Sequence, residues 1–192
     1  MVRAAATLAT QRVRLRQRRV RLGVMSDTHG TVDPRLAAFL ADCDAVVHAG
    51  DIGNAAVLTA LARRHRPVVA VRGNNDVPAK WPHGEARAVR ALPLAAWVEL
   101  PGGTLVVVHG DRVVPATRRH ALLRHLYPTA RAVVYGHSHR LRVDQTDLPW
   151  VLNPGAAGAA RTYGGPSCLV IEAHTDAWRV DVMRYPPTHA RA

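Results

Sequence analysis

Short apolar runs recur along the chain, and nearly every one stops at a glycine or a metal-competent polar residue. Residues 22–27, 45–51 and 68–74 read as strands, because their apolar character is unbroken and each is bounded by turn residues. Between them, residues 34–41 predict a helix with Asp33 as N-cap and Pro34 at its first position. Residues 54–65 predict another, apolar at Val57, Leu58, Leu61 and Ala62. Strands alternating with short helices imply βαβ units and a parallel sheet. Strands apolar throughout agree, since parallel strands are covered on both faces. A loop is expected over 77–88. Residues 97–100 and 104–109 flank Pro101-Gly102-Gly103 and predict a hairpin. A helix over 115–126 and a strand over 132–136 follow. Shorter, mostly antiparallel strands are expected over 141–145, 150–152, 168–173 and 178–183.

The ends of these strands carry the chemistry. Ser26-Asp27-Thr28-His29-Gly30 closes the first, Gly50-Asp51 the second and Gly73-Asn74-Asn75-Asp76 the third. His109-Gly110 and Gly136-His137-Ser138-His139 close two later ones. By strand alternation, Asp27 and His29 are expected on one side. Ligands of open α/β sheets bind beyond the carboxyl ends of strands, so five such ends suggest one shared site. Asp27, His29, Asp51, Asn74, His109, His137 and His139 are too many donors for one ion. They suit two ions sharing a carboxylate, roughly 3.5–4 Å apart. Imidazole, carboxylate and amide oxygen together suit Mn, Fe, Zn or Ni and argue against a thiolate-rich structural zinc site. His48 lies off the face of Asp51 by alternation and is read as supporting structure.

Composition changes this picture little. A chain of 192 residues with 48% hydrophobic content has room for one core. No apolar run reaches the roughly 18 residues of a membrane span. The formal charge of +12 invites a polyanion partner. However, Lys80 is the sole lysine, and Arg and Ala are abundant, which fits the codon bias of a GC-rich genome. Residues 1–20 are Arg-rich and acid-poor and lack the apolar stretch of a secretory signal. They are expected to form a disordered basic arm, with nucleic-acid contact as a secondary expectation. The domain is expected over 21–185, with a tail over 186–192. Cys43 and Cys168 read as small core residues in a cytoplasmic protein.

In this order, Asp-x-His, Gly-Asp, Gly-Asn-x-Asp, His-Gly and Gly-His-x-His resemble the calcineurin-like metallophosphoesterase superfamily, most closely its small single-domain prokaryotic phosphodiesterases. The resemblance covers about residues 21–185. It implies a two-sheet β-sandwich flanked by helices, a four-layer α/β/β/α fold. It implies two divalent metal ions, Mn first, with Ni, Zn, Fe or Mg as alternatives. Asp27, His29 and His139 would hold one ion, and Asn74, His109 and His137 the other. Asp51 would bridge them, and a metal-bridging hydroxide would attack the phosphoester. Asp51, Asn74, Asn75 and Asp76 form the implied catalytic set, with Asp76 supporting ligands rather than binding metal. The substrate would be a small phosphoester, nucleotide-derived ones included, and relatives of this size often form dimers or tetramers. Most members carry His where this chain has Asn75, so the usual proton donor is missing; slow turnover and good leaving groups are expected, and His83 is a candidate substitute. Leu152-Asn153-Pro154-Gly155 resembles a mainly structural loop near the site. The alternative reading is a non-catalytic protein-interaction scaffold on the same fold.

Overall fold

The computed structural model describes residues 10–62 and 66–187. The outermost arm residues, the predicted end of the second helix at 63–65 and the last tail residues therefore lie outside the described residues.

The strands divide into two sheets. Strands β2 (Arg19–Met25), β3 (Ala45–His48) and β4 (Val68–Ala70) run parallel, as the βαβ pattern predicts. Strands β10 (Ser167–His174) and β11 (Trp178–Arg184) extend that sheet antiparallel on the other side of β2, giving the order β11-β10-β2-β3-β4. The second sheet has the order β1-β5-β6-β7-β9-β8. It comprises β1 (Thr10–Arg14), the hairpin β5 (Ala95–Leu100) and β6 (Gly103–Val108), β7 (Ala132–Val134), β8 (Arg142–Asp144) and β9 (Trp150–Asn153).

Period-two alternation builds the sandwich. Val20, Leu22 and Val24 of β2, with Leu169 and Ile171 of β10, point into the space between the sheets and meet Val98, Leu105, Val107 and Val134. The outer face of the first sheet is covered by α1 (Pro34–Phe39), α2 (Ala55–Leu61) and α3 (Ala86–Ala91), which bury Leu36, Val57, Leu61 and Val89 against Met25, Val46 and Val170. The outer face of the second is covered by α4 (Arg119–Leu126), whose Leu123 packs on Val106, Val133 and Val151. The layers are therefore α/β/β/α. No helix among the described residues is long and apolar enough to cross a membrane.

Local chemistry sets the helix starts. The Asp33 carboxylate accepts the Arg35 N–H ahead of Pro34, and the Asn54 side chain accepts the Val57 N–H. Two expectations differ. Helix α3 begins inside the predicted 77–88 loop; its apolar signal reduces to Val89 and Leu92, too little for periodicity to register. The basic arm expected over 1–20 includes an ordered strand, β1, which pairs in parallel with β5 from Thr10 opposite Ala95 to Arg14 opposite Glu99. Four of its five residues are exposed, so it carries no buried face for a sequence pattern to reveal.

Candidate metal centre

Every strand that faces the site stops one to five residues before its functional side chains. Strand β2 ends at Met25, and Asp27 and His29 follow in left-handed backbone, φ 55° and 46°. Asp51 at φ 56°, His137 at 65° and His139 at 57° share this conformation. Strand alternation therefore is not what brings Asp27 and His29 together; two residues in a region disfavoured for non-glycine side chains turn the chain so that both face inward. Such conformations persist where the surroundings hold them, and they cluster at functional sites.

Those surroundings are explicit. Gly73 lies where a Cβ would collide with the Asp51 backbone nitrogen and carboxylate. A Cβ at Gly136 would come within 2.9 Å of the Asp27 Oδ2 atom. The two loops thus close on the carboxylates because they carry no side chain there.

The seven residues converge. His29 Nε2 lies 3.1 Å from His139 Nε2, and His139 Nε2 lies 3.4 Å from Asp27 Oδ1. On the other side, Asn74 Oδ1 is 3.1 Å from His109 Nε2 and 2.9 Å from His137 Nδ1. Asp51 lies between: its Oδ2 is 3.9 Å from His29 Nε2, and its Oδ1 is 3.4 Å from His109 Nε2. Ligand atoms of Asp27, His29 and His139, and those of Asp27, Asp51 and His109, lie within 4.8 Å of one another. His109 Nδ1 donates to the Ala49 carbonyl at 2.8 Å, which turns Nε2 toward the cluster.

The electrostatics are those of a site built around positive charge. Burial is the largest influence on Asp27 and pushes its carboxyl up to about 7 despite the nearby His109 and the Ser26 hydroxyl that donates to it. Burial disfavours the charged form of His109, but the Asp51 carboxylate outweighs it and raises the imidazole to about 9. Burial would likewise raise Asp51, yet His109 and the two Asn75 N–H groups hold that carboxyl below its ordinary range. Burial, then Arg161 and His29, press His139 down to about 4, so its imidazole is neutral at pH 7. Once His109 gives up its proton, imidazoles, buried carboxylates and an amide oxygen fit a borderline divalent cation.

Neighbouring groups orient the cluster. Asp76 is buried, and both of its oxygens are taken: Oδ1 accepts from Ile52 N, Gly53 N and the Trp81 indole, and Oδ2 from Gly73 N. These bonds tie the Asp51 loop to the Asn74 loop, and they engage the Asp76 carboxylate with the protein's own N–H groups. His48 is fully buried, its pKa pushed down to about 3 by burial, and it accepts the Gly50 N–H while paired with the Thr28 hydroxyl. Asn153 donates to the Gly136 carbonyl and the Ser138 hydroxyl, consistent with a structural loop. His83 is exposed and makes no hydrogen bond to the seven among the described residues.

Sequence reasoning missed two features. His120 of α4 links Asp144 of β8, at 2.6 Å, to the hydroxyl of Tyr135, at 3.0 Å, two residues before His137. Arg161 brings its guanidinium within 3.4 Å of His29 Nε2. Neither lies in a recognisable motif, and only their spatial neighbours mark them.

With this geometry in place, comparison with known proteins decides the family. Residues 20–176 match the calcineurin-like phosphoesterase superfamily domain. The chain belongs to that superfamily. No curated protein matches it. Among solved structures it is similar to wild-type Vps29 from Entamoeba histolytica complexed with Zn2+, at a TM-score of 0.67 and 16% identity, covering 88% of this chain and 99% of that one. It is also similar to a conserved protein of Streptococcus pneumoniae TIGR4 described as a predicted phosphoesterase, at 0.61 and 19%, covering 91% and 95%. A third is a novel archaeal phosphodiesterase, at 0.62 and 21%, covering 85% and 99%. At these identities the likeness concerns the fold. The superfamily binds divalent metals, and this member retains a candidate ligand set for them.

Proposed function

We propose that this calcineurin-like protein is a dinuclear metal-dependent phosphodiesterase. The observation that carries this reading is Asp51, whose two oxygens face His29 on one side and His109 on the other. Asp27, His29 and His139 would hold one cation, Asn74, His109 and His137 the second, and Asp51 both. Two divalent cations, Mn first and Ni, Zn, Fe or Mg as alternatives, would supply a water of lowered pKa and neutralise charge on the phosphoryl oxygens.

The chain's own residues determine the rest. The glycine-lined loops bring the ligand atoms together without side chains in the way. Asn75 places an amide where an imidazole would be a proton donor, and that amide is already engaged with Asp51 and Lys80. No protonated side chain is therefore aimed at a leaving group from that position, and esters with good leaving groups are favoured.

The test is Asp51→Asn assayed with Mn on bis(p-nitrophenyl) phosphate, alongside metal content and circular dichroism. Loss of hydrolysis and of metal in a folded variant is the expected result. An unchanged Mn-dependent rate ends the proposal. The Vps29 neighbours, one of them complexed with a cyclic peptide, favour a second reading as a protein-interaction scaffold. A wild-type protein that purifies without metal and hydrolyses no diester would support that reading instead.

A further inference from the structure

The segment from Gly158 to Gly165 joins β9 to β10 and belongs to no motif. It is seated against the turn that carries His29. A Cβ at Gly158 would collide with the Thr28 carbonyl oxygen. Ala157 N donates to Ser26 O at 2.9 Å, and Asp33 N donates to Ala157 O at 2.9 Å. Beyond this anchor, Arg161 is in left-handed backbone at φ 53°. Its guanidinium nitrogen Nη2 lies 3.4 Å from His29 Nε2. Tyr163 N then donates to Arg161 O at 3.1 Å, which keeps the two side chains on one short turn. Tyr163 leaves half of its surface in solvent. The guanidinium of Arg140, the residue after His139, lies 4.2 Å from the centre of its ring.

Arg161 can donate to His29 only while Nε2 is free; a cation held by His29 would take that lone pair and leave the guanidinium without this acceptor. Cations in the cluster would add like charge. An anion with several oxygens, placed between guanidinium and cluster, satisfies both, and a phosphoryl group has the oxygens a planar guanidinium fork matches. Tyr163, backed by Arg140, offers an aromatic surface of the kind on which nucleic-acid bases stack regardless of their identity. The two side chains are two residues apart, as phosphate and base are parts of one small ligand.

We infer that Arg161 and Tyr163 form a nucleotide-recognition element: Arg161 holds a non-bridging phosphoryl oxygen at the cluster, and Tyr163 stacks the base. This names the substrate class of the proposed phosphodiesterase and rests on that reading.

The test pairs binding with kinetics on the metal-loaded protein. Titration calorimetry with thymidine 5′-monophosphate and with inorganic phosphate should show the nucleotide binding at least tenfold tighter. Tyr163→Ala should bring the two affinities close to equal, and Tyr163→Phe should restore the difference. Arg161→Ala should weaken both ligands at least tenfold, with Arg161→Lys intermediate. In kinetics, Tyr163→Ala should raise KM for thymidine 5′-(p-nitrophenyl phosphate) about tenfold and leave KM for methyl p-nitrophenyl phosphate unchanged. Equal wild-type affinities, or a Tyr163→Ala variant that keeps the nucleotide preference, overturns the inference while leaving the phosphodiesterase reading in place. Failure of the wild type to hydrolyse either ester removes that reading, and the inference with it.

Discussion

Asn75 grips Asp51 twice: its backbone N–H donates to Oδ1 at 2.8 Å, and its side-chain amide donates to Oδ2 at 2.6 Å. Asn75 is thus a fixture for the carboxylate between the two histidine groups. Lys80 Nζ donates to the remaining amide oxygen at 2.6 Å and fixes the amide's orientation.

Asn75→Ala keeps the backbone bond and removes the side-chain one. Groups that orient ligands typically cost 10–100-fold in metal affinity or activity when removed. Titration of Mn into the metal-free variant should show a loss of about tenfold or more. Full Mn affinity with reduced kcat would instead place the Asn75 amide on the substrate.

Asp76→Asn tests the tie between the loops. The amide can present oxygen to one side only, so its NH2 must face either the Gly73 N–H or the group of donors at Ile52, Gly53 and Trp81. A buried donor left unpaired costs about 1–3 kcal/mol. Urea unfolding should show that loss at an unchanged m-value. Wild-type stability in this variant would contradict the assigned role.

The metal-free protein should lose stability as pH rises from 7 to 9, above the range in which the depressed histidines His48 and His139 gain theirs. Asp27 is raised by burial from 3.8 to about 7, so its contribution is full below pH 3.8 and lost as pH climbs through 7. His109, raised from 6.5 to about 9 by Asp51 against the opposing effect of burial, contributes fully below 6.5 and loses that contribution through 9. Asp51 is depressed, so its contribution is present above 3.8 and is lost only in stronger acid, outside this window. Cations held by Asp27 and His109 would take the place of these protons. The Mn-induced rise in melting temperature should therefore grow with pH, by roughly 5 °C for each ~2 kcal/mol the metal-free state forfeits. A rise that is flat or shrinks with pH would show that the protons and the metal do not compete.

Much of this arrangement was legible in the chain because it is local. Val24, Val47, Val107 and Val134 mark strands by apolarity, and the residues just beyond them announced the site. What alternation could not supply was the turn geometry at Asp27 and His29, where left-handed backbone rather than strand pleat sets the direction. For Asp76 a supporting role was legible, but sequence shows its neighbours and not the four N–H groups, at Ile52, Gly53, Gly73 and Trp81, that its carboxylate accepts. Arg161 and Tyr163 were silent because they act on His29 and Arg140, distant in sequence, from a loop with no periodic pattern. Strand β1 was silent because its partner, β5, lies some 85 residues on.

That strand changes what the arginines mean. Arg12 and Arg14 lie 3.9 and 3.5 Å from the Glu99 carboxylate, and Arg12 lies 5.7 Å from the Trp97 ring centre. Stripped of this border, β5 would offer a bare row of main-chain donors and acceptors to any passing copy, the usual route to self-adhesion. Removing residues 1–16 should yield protein whose light scattering climbs with concentration while the intact chain's stays level. Positive charge that a composition count assigns to polyanions would then be a hem, stitched along one margin to stop the fabric from joining its neighbour.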